Sequence, residues 1–222
     1  MPARLFLVED PWVNWDWVSR HIPLITDQLT QHVRLTVIAV FVGLVLALPL
    51  GIAAYRLRWL RNPILVVFGV FYTIPSISLF VFLIPFTGIS ETTAEVGVVG
   101  YTILILVRNI LVGLESVSPD VLDAADGMGY RQRARLLRIE LPLALPAIFA
   151  GIRIATVSTI GLVTITAIIG LGGAGQLIYQ GFILNFHTPL VVGVVLSVAL
   201  AVIADGSLLV LQRLAVPWAR TA

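Results

Sequence analysis

Charged side chains are concentrated in one short stretch of this chain, DAADGMGYRQRARLLRIELP at residues 123–142, which carries three acids and four arginines. Other reactive groups are absent or scattered. Without cysteine or lysine, the chain supports neither thiolate nor Schiff-base chemistry. Its three histidines (His21, His32 and His187) form no pair at helical ligand spacing. We therefore expect no metal site and no catalytic residues, and the charged stretch needs another explanation.

The rest of the chain is apolar. Hydrophobic residues make up 59% of it and charged residues 12%, whereas soluble domains average about a quarter charged. A helical membrane span needs about 20 mainly apolar residues. Five segments satisfy this requirement, at residues 33–55, 63–86, 94–114, 143–170 and 188–211. The sequence therefore predicts an all-α polytopic membrane protein with about five transmembrane helices.

The charges in the loops predict how these helices are oriented. The first loop contains Arg56, Arg58 and Arg61 and no acid, whereas the second contains Glu91 and no arginine. Arginines return in the charged stretch and in the C-terminal tail. Because cytoplasmic loops carry an excess of basic residues, we expect these arginine-rich segments and the C-terminus in the cytoplasm, and the N-terminus outside.

The N-terminal segment, residues 1–31, mixes polar residues with Trp12, Trp15 and Trp17. Tryptophan is enriched where a membrane meets water. We therefore predict an extracytoplasmic segment that lies at the membrane interface. A sixth, weakly hydrophobic span is the alternative.

A glycine-rich stretch, GLGGAG at residues 170–175, matches the dinucleotide-binding pattern G-x-G-x-x-G. That pattern requires a preceding strand and an acid about 20 residues later. Here a long apolar segment precedes it, and the next acid is Asp205. We therefore interpret the stretch as a flexible or re-entrant turn in which glycines permit close backbone contact. We expect no nucleotide there.

The start of the charged stretch has the signals of a short capped helix at residues 119–126. They are a capping serine, a proline at the first helical position, acids in the first turn and glycines at the end: Ser118, Pro119, Asp120, Asp123, Gly127 and Gly129. The small Ala124 and Ala125 would let another surface approach closely. A solvated loop that only follows the positive-inside rule is the alternative, but it does not explain the caps.

This stretch resembles a known signature. Permeases of ATP-binding-cassette (ABC) importers carry Glu-Ala-Ala, three residues, Gly, nine residues, Ile, one residue and Leu-Pro. The matching residues here are Asp123, Ala124, Ala125, Gly129, Ile139, Leu141 and Pro142. Aspartate in place of glutamate is the one departure. The chain is similar to type I ABC importer permeases over about residues 31–213.

The resemblance implies a mechanism and partners. In that family this segment, which here includes Asp120, is a coupling helix that sits in a cleft of the ATPase subunit. ATP and Mg²⁺ would be bound by the ATPase, and this chain would carry no cofactor. The other implied partners are an extracytoplasmic substrate-binding protein, a second permease copy or a homologous permease, and membrane lipid, but no nucleic acid. The implied location is the bacterial plasma (inner) membrane, with residues 32–213 as the permease domain and 214–222 as a cytoplasmic tail.

Longer stretches, such as YTIPSISLFVFLIP at residues 72–85, resemble permeases for glycine betaine and choline. The resemblance implies an osmoprotectant as the substrate. A permease for methionine or a sulfonate, or a stand-alone secondary transporter, is the alternative. Aromatic cages bind trimethylammonium groups, but all five tryptophans lie outside the predicted spans. We therefore expect selectivity to reside mainly in the binding protein.

Polar residues inside the second and fourth predicted spans are candidates for a translocation path. Pro75 would break the second span, and nearby hydroxyls could satisfy the carbonyl that it frees. The candidates are Tyr72, Thr73, Pro75, Ser76 and Ser78, followed by Ser158, Thr159, Thr164 and Thr166. The alternative is that these hydroxyls bond to their own helices.

Charges and small residues inside the spans predict helix contacts. Charges at membrane depth pair with one another or face water, so we expect an ion pair of Asp205 with Arg153 or Arg108. Small residues also recur at four-residue spacing in the fourth and fifth spans: Ala147, Gly151, Ala155 and Thr159, then Gly193, Ser197, Ala201 and Asp205. Such rows pack either within the chain or against a second permease.

Overall fold

The computed structural model describes residues 11–220, so residues 1–10 of the predicted N-terminal segment lie outside it. The described residues form ten α-helices and contain no strand. The helices are α1 (Trp15–Arg20), α2 (Ile22–Arg56), α3 (Arg58–Thr73), α4 (Ser76–Thr87), α5 (Glu91–Glu115), α6 (Pro119–Gly127), α7 (Gln132–Arg135), α8 (Leu141–Ile165), α9 (Ala174–Ile183) and α10 (His187–Ala215). A π turn, Leu136–Glu140, joins α7 to α8, and 3-10 turns cover Thr166–Ile169 and Pro217–Arg220.

Four of these helical segments are long and apolar enough to cross a membrane: α2, α5, the continuous α7–α8 segment and α10. Helices α3 and α4 together make a fifth candidate, but they are bent by 98° at their junction. The prediction of about five spans in an all-α membrane protein is therefore confirmed. The second predicted span is the bent one, and its break lies between Thr73 and Ser76.

The region before residue 33 is more helical than the sequence indicated. Helix α2 already begins at Ile22, since Pro23 suits its first turn. The short α1 precedes it directly, and the side chain of Asn14 caps α1 by accepting from the Trp17 amide at 3.1 Å. The Asn14 amide donates to Thr188 at 2.8 Å, so α1 is tied to the start of α10.

Helix α5 lies at the centre of the bundle and packs against α2 and α8. Its residues Leu106, Val107 and Ile110 are at most 1% exposed and belong to the largest apolar cluster. Glycines allow the neighbouring helices to come close. A β-carbon on Gly51 of α2 would lie 2.6 Å from Ile110, and one on Gly151 of α8 would lie 2.4 Å from Asn109.

Both rows of small residues pack at least partly within the chain. In α8, Gly151 contacts α5, and the Thr159 hydroxyl lies 3.0 Å from that of Thr102 on α5. In α10, Gly193 lies against Ile178 of α9, where a β-carbon would approach to 2.7 Å. The alternative of contacts within the chain is therefore confirmed for these positions.

The two ends of the bundle differ in their polar contacts. At one end Arg56 of α2 meets Glu140 at 3.1 Å, and Arg61 of α3 meets Glu115 of α5 at 2.5 Å. We call this end, with the charged stretch 123–142, the basic end. At the opposite end the Gln31 side chain of α2 accepts from the Gly173 amide at 3.1 Å.

Candidate functional site

Helix α6 contains the start of the charged stretch, and the position where it begins follows from local sequence. Pro119 occupies the first helical position, where a missing N–H costs nothing. Ser118 is the capping residue, but its hydroxyl makes no capping bond. Its carbonyl instead accepts from the amides of Val121 and Leu122 at 3.1 and 3.3 Å. The prediction of a helix start is confirmed, whereas the predicted side-chain cap is wrong.

The end of α6 is a Schellman motif centred on Gly129. The Tyr130 amide donates to the Ala125 carbonyl at 3.1 Å, and the Gly129 amide donates to the Asp126 carbonyl at 2.9 Å. Gly129 has a φ of +80°, a conformation that costs other residues energy. Since no atom lies within 4 Å of where its β-carbon would be, the glycine is required by backbone conformation and not by space.

The two signature alanines have different surroundings. Ala125 is 0% exposed and packs beneath the helix, whereas Ala124 faces outward beside the exposed Asp120 and Asp123. Met128, which follows directly, is 69% exposed. Helix α6 therefore presents a small, partly acidic and partly apolar surface at the basic end.

The last part of the signature, Ile139, Leu141 and Pro142, lies where the π turn enters α8. The Leu141 amide bonds to the Leu136 carbonyl, five residues back. Pro142 has no N–H and its ring would clash with the carbonyl four residues earlier. The wider π turn is compatible with this proline, and all three signature residues are half-buried there.

A buried charge cluster beneath α6 was not predicted. Glu140 is 0% exposed, and its Oε1 accepts from Arg135 Nε at 2.9 Å and from Arg56 Nη2 at 3.1 Å. Arg135 also bonds to Asp126 of α6. One feature of the sequence could have indicated this cluster: Glu140 is an acid that follows four arginines and directly precedes an apolar span. Its partners could not be read from spacing, since Arg56 is 84 residues away.

The bend between α3 and α4 lies at Ile74 and Pro75. The Ile74 carbonyl accepts a hydrogen bond from the Tyr101 hydroxyl of α5. Thr73 instead bonds within its own helix, to a carbonyl 2.7 Å away. The predicted break at Pro75 is confirmed. The carbonyl that the missing proline N–H frees is that of Phe71, four residues earlier, and it accepts from the Ile74 amide at 3.2 Å and not from one of the predicted hydroxyls.

The candidate path residues at this bend are open on at least one side. Ser76 is half-buried, and the exposed ones are Tyr72, Thr73, Pro75 and Ser78. The rings of Tyr72 and Phe71 pack edge-on against Tyr101, with centroids 5.6 and 5.8 Å away. These rings contact one another and enclose no cage. Their place along a path remains a prediction.

Two candidate path residues of α8 and the following turn lie inside the packed bundle. Thr159 and Thr166 are 0% exposed, and Thr166 bonds to the Val163 carbonyl at 2.8 Å. In this arrangement both side chains contact neighbouring parts of the bundle and reach no open surface. Their place along a path stays a prediction. Thr164 is half-buried and bonds within its helix, to Gly161 at 2.6 Å. Ser158 is also half-buried and lines an open cavity.

That cavity, of about 400 Å³, contains the ion pair of Arg153 and Asp205. Both bonds of this bidentate pair measure 2.8 Å. Arg108, the other predicted partner, is exposed and makes no ion pair with any residue in 11–220. A charge pair midway along α8 that stays partly exposed is unfavourable against lipid. This flank of α8 and α10 therefore faces water or another protein.

The glycine stretch at the opposite end is a tightly packed turn. Gly170, Gly172 and Gly173 all have positive φ angles. A β-carbon on Gly173 would lie 2.5 Å from that of His32 and 2.6 Å from the Gln28 carbonyl oxygen, both on α2. The prediction of a turn with close backbone contact is confirmed. These contacts hold the turn against α2, so it is not a free loop.

Comparison with protein families shows what the chain is. The family described as the binding-protein-dependent transport system inner membrane component matches residues 34–216. The chain belongs to this family. It is thus the permease component of an ABC importer, a multi-pass protein of the inner membrane. Such a permease works with ATPase and substrate-binding partners.

Curated relatives cover most of this permease. It is 33% identical over 189 residues to the choline transport system permease protein of Bacillus subtilis (strain 168). The matched region is 84% of this chain and 86% of the Bacillus chain. It is 37% identical over 192 residues to an osmoprotectant import permease protein of Salmonella typhimurium. Here the matched region is 84% of this chain and 89% of the Salmonella chain.

A solved structure shows the same fold. This is the MetNI methionine ABC transporter in an inward-facing conformation, which matches with a TM-score of 0.82 over 88% of this permease and 98% of that chain. The sequences are 23% identical, so the likeness concerns architecture alone. The predicted type I importer architecture is confirmed.

Proposed function

We propose that this permease imports osmoprotectants of the glycine betaine and choline class. The supporting observation is the identity of 33% and 37%, over most of the chain, to permeases named for choline and for osmoprotectants. The aromatic residues at the α3–α4 bend pack against one another, which agrees with selectivity that lies mainly in a separate binding protein.

The orientation that we propose places the basic end in the cytoplasm. The arginine-rich first turn, helix α6 and the start of α8 all meet at this end. Excess arginine on the cytoplasmic side is the general rule for membrane proteins. The extracytoplasmic binding protein would then approach the opposite end, which carries the glycine turn.

Helix α6 is the proposed docking element for the ATPase. Its exposed face combines Asp120 and Asp123 with Ala124 and Met128, so a partner gains apolar contact as well as charge recognition. ATP and Mg²⁺ belong to that partner in this proposal. ATP binding would favour one of two arrangements of a permease pair, as a ligand selects between pre-existing states.

A second permease would cover the flank formed by α8 and α10. None of the most apolar 18-residue window of α10 is buried within the chain. The Arg153–Asp205 pair and its cavity lie on the same flank. Pairing with an identical or a homologous permease would shield this polar site from lipid.

Reconstitution with the ATPase and the binding protein tests the proposed function. Labelled choline and glycine betaine should accumulate in vesicles when ATP is supplied, and unlabelled methionine should not compete. A permease whose residues 120–129 are replaced by a Gly/Ser linker should lose the ATPase on purification. Wild-type uptake of methionine alone would refute the proposed substrate class, and intact uptake by the linker variant would refute the docking role of α6.

A further inference from the structure

Glu140 is the only fully buried acidic residue among residues 11–220. Its carboxylate is 0% exposed and touches two guanidinium groups, those of Arg135 at 2.9 Å and Arg56 at 3.1 Å. A buried charge is tolerated only while it is paired and hydrogen-bonded. Both guanidinium groups donate to Oε1, whereas the buried Oε2 has no partner among the hydrogen bonds of residues 11–220. The two bonds to Oε1 therefore hold the three side chains together.

The cluster joins elements that are separate in sequence. Arg56 ends α2, Arg135 ends α7, and Glu140 ends the π turn that leads into α8. Arg135 extends the cluster outward, because it also bonds to Asp126 of α6. Arg56 adds a bond to the Gln132 carbonyl at 3.0 Å. A continuous chain of charged contacts thus runs from α6 to two membrane-crossing helices.

We propose that Glu140 is a positioning residue that transmits displacement of α6 to α2 and α8. This inference rests on the proposed docking of the ATPase on α6. A flexible loop would absorb a push on α6. Loss of the bonds from Arg135 and Arg56 would leave the buried Glu140 carboxylate unpaired. That cost favours movement of α2, α7 and α8 as one body.

The main test measures solute imported per ATP hydrolysed, in vesicles that hold the complete transporter. Glu140→Gln keeps the size of the side chain and removes its charge. We expect import per ATP to fall about tenfold while the ATPase stays bound, and Arg135→Gln to act similarly. Both changes break the same Arg135–Glu140 ion pair. Import per ATP by the Arg135→Gln/Glu140→Gln double variant should therefore lie within about twofold of that of either single variant, whereas the losses from two independent sites would multiply.

The chain offers a matched control at the same end. Glu115 pairs with Arg61 at 2.5 Å, but the two side chains are 39% and 42% exposed. Solvent screening makes such pairs weak. Glu115→Gln should therefore leave import per ATP unchanged. An equal loss in this control would show that any charge removed at the basic end has the same effect, and would overturn the assignment to Glu140.

A distance measurement distinguishes a role of Glu140 in linking α6 to α2 from a role in the stability of the fold alone. Since the chain lacks cysteine, Gly127→Cys on α6 and Leu57→Cys after α2 would carry the only spin labels on the permease. The label distance should be narrowly distributed with Glu140 and broad with Glu140→Gln, in the complete permease in lipid nanodiscs without its partners. Narrow distributions in both would overturn the proposal.

Asp126→Asn provides a second variant in case Glu140→Gln does not fold. Asp126 is 53% exposed but its partner Arg135 is only 15% exposed, so this pair is less screened by solvent than the control pair, and the change cuts only the outer contact of the cluster. We expect a loss of about threefold in import per ATP, because one of several contacts is removed. An unchanged ratio would overturn the proposal. Failure of the wild-type chain to bind any ATPase would instead refute the proposed function, and the nanodisc distances would still test the link.

Discussion

Glycine has different roles at the two ends of this permease. At the basic end, Gly129 has a φ of +80° but open space around its α-carbon. At the opposite end, Gly173 has a φ of +51°, and a β-carbon added to it would lie only 2.6 Å from backbone atoms of α2. The first glycine shapes a surface for a partner, and the second lets two segments of the same chain touch. Substitutions should therefore impair coupling at one end and folding at the other.

Gly173→Ala should have the largest effect. The new methyl group would clash with Gln28 and His32 and would need a strained backbone, for a cost of about 3 kcal/mol or more. We expect little monodisperse permease after purification from membranes. Gly69→Ala is the control, since nothing lies within 4 Å of its β-carbon position. Equal yields of the two variants would contradict the close packing of the turn.

Asp205→Asn should have the next largest effect and tests the region between the two ends. It leaves the Arg153 guanidinium without its bidentate partner at membrane depth. We expect a reduced yield of the assembled transporter, with part of it regained in the Arg153→Gln/Asp205→Asn double variant. If the double variant is worse than the single one, the pair does not act as a unit.

Gly129→Ala should leave the membrane bundle intact and impair coupling. A positive φ costs alanine roughly 1–2 kcal/mol, which strains the end of α6 alone. Thermal unfolding should be nearly unchanged, while stimulation of the ATPase by the loaded binding protein falls. Gly129→Asn should be milder, because asparagine tolerates this conformation. A loss of folded protein in either variant would remove the contrast with Gly173.

Gly127→Ala should have the smallest effect and is the control for Gly129. Gly127 is the last residue of α6, has ordinary helical φ and has open space around it. Alanine favours helix by up to about 1 kcal/mol over glycine. Coupling and thermal stability should match or slightly exceed the wild type. Uncoupling by this variant would mean that the surface itself, and not the turn, needs glycine.

The basic end could be predicted well because its rules are local. Pro119, the spacing from Asp123 to Pro142, and Gly129 act through neighbours in the chain, so the helix and its end were readable. Ser118 shows the limit, since its position was correct and its hydroxyl bond was not. Glu140 was missed because its role depends on Arg56, which only folding brings near.

The membrane-depth residues were harder to predict. Serine and threonine look alike in sequence whether they face a path or a neighbouring helix. The structure buries Thr159 against Thr102 and leaves Ser78 exposed, a difference set by the rotation of each helix. The same rotation decides that Asp205 meets Arg153 and not Arg108.

The amino-acid sequence by itself determined the number of apolar segments, the arginine-rich end and the short helix α6 with its signature spacing, because each depends on composition or on near neighbours. Only the tertiary structure decided the 98° bend of the second span, the close contact of Gly173 with α2 and the burial of Glu140 between two arginines. Those features arise where segments that are far apart in sequence come into contact in the folded chain.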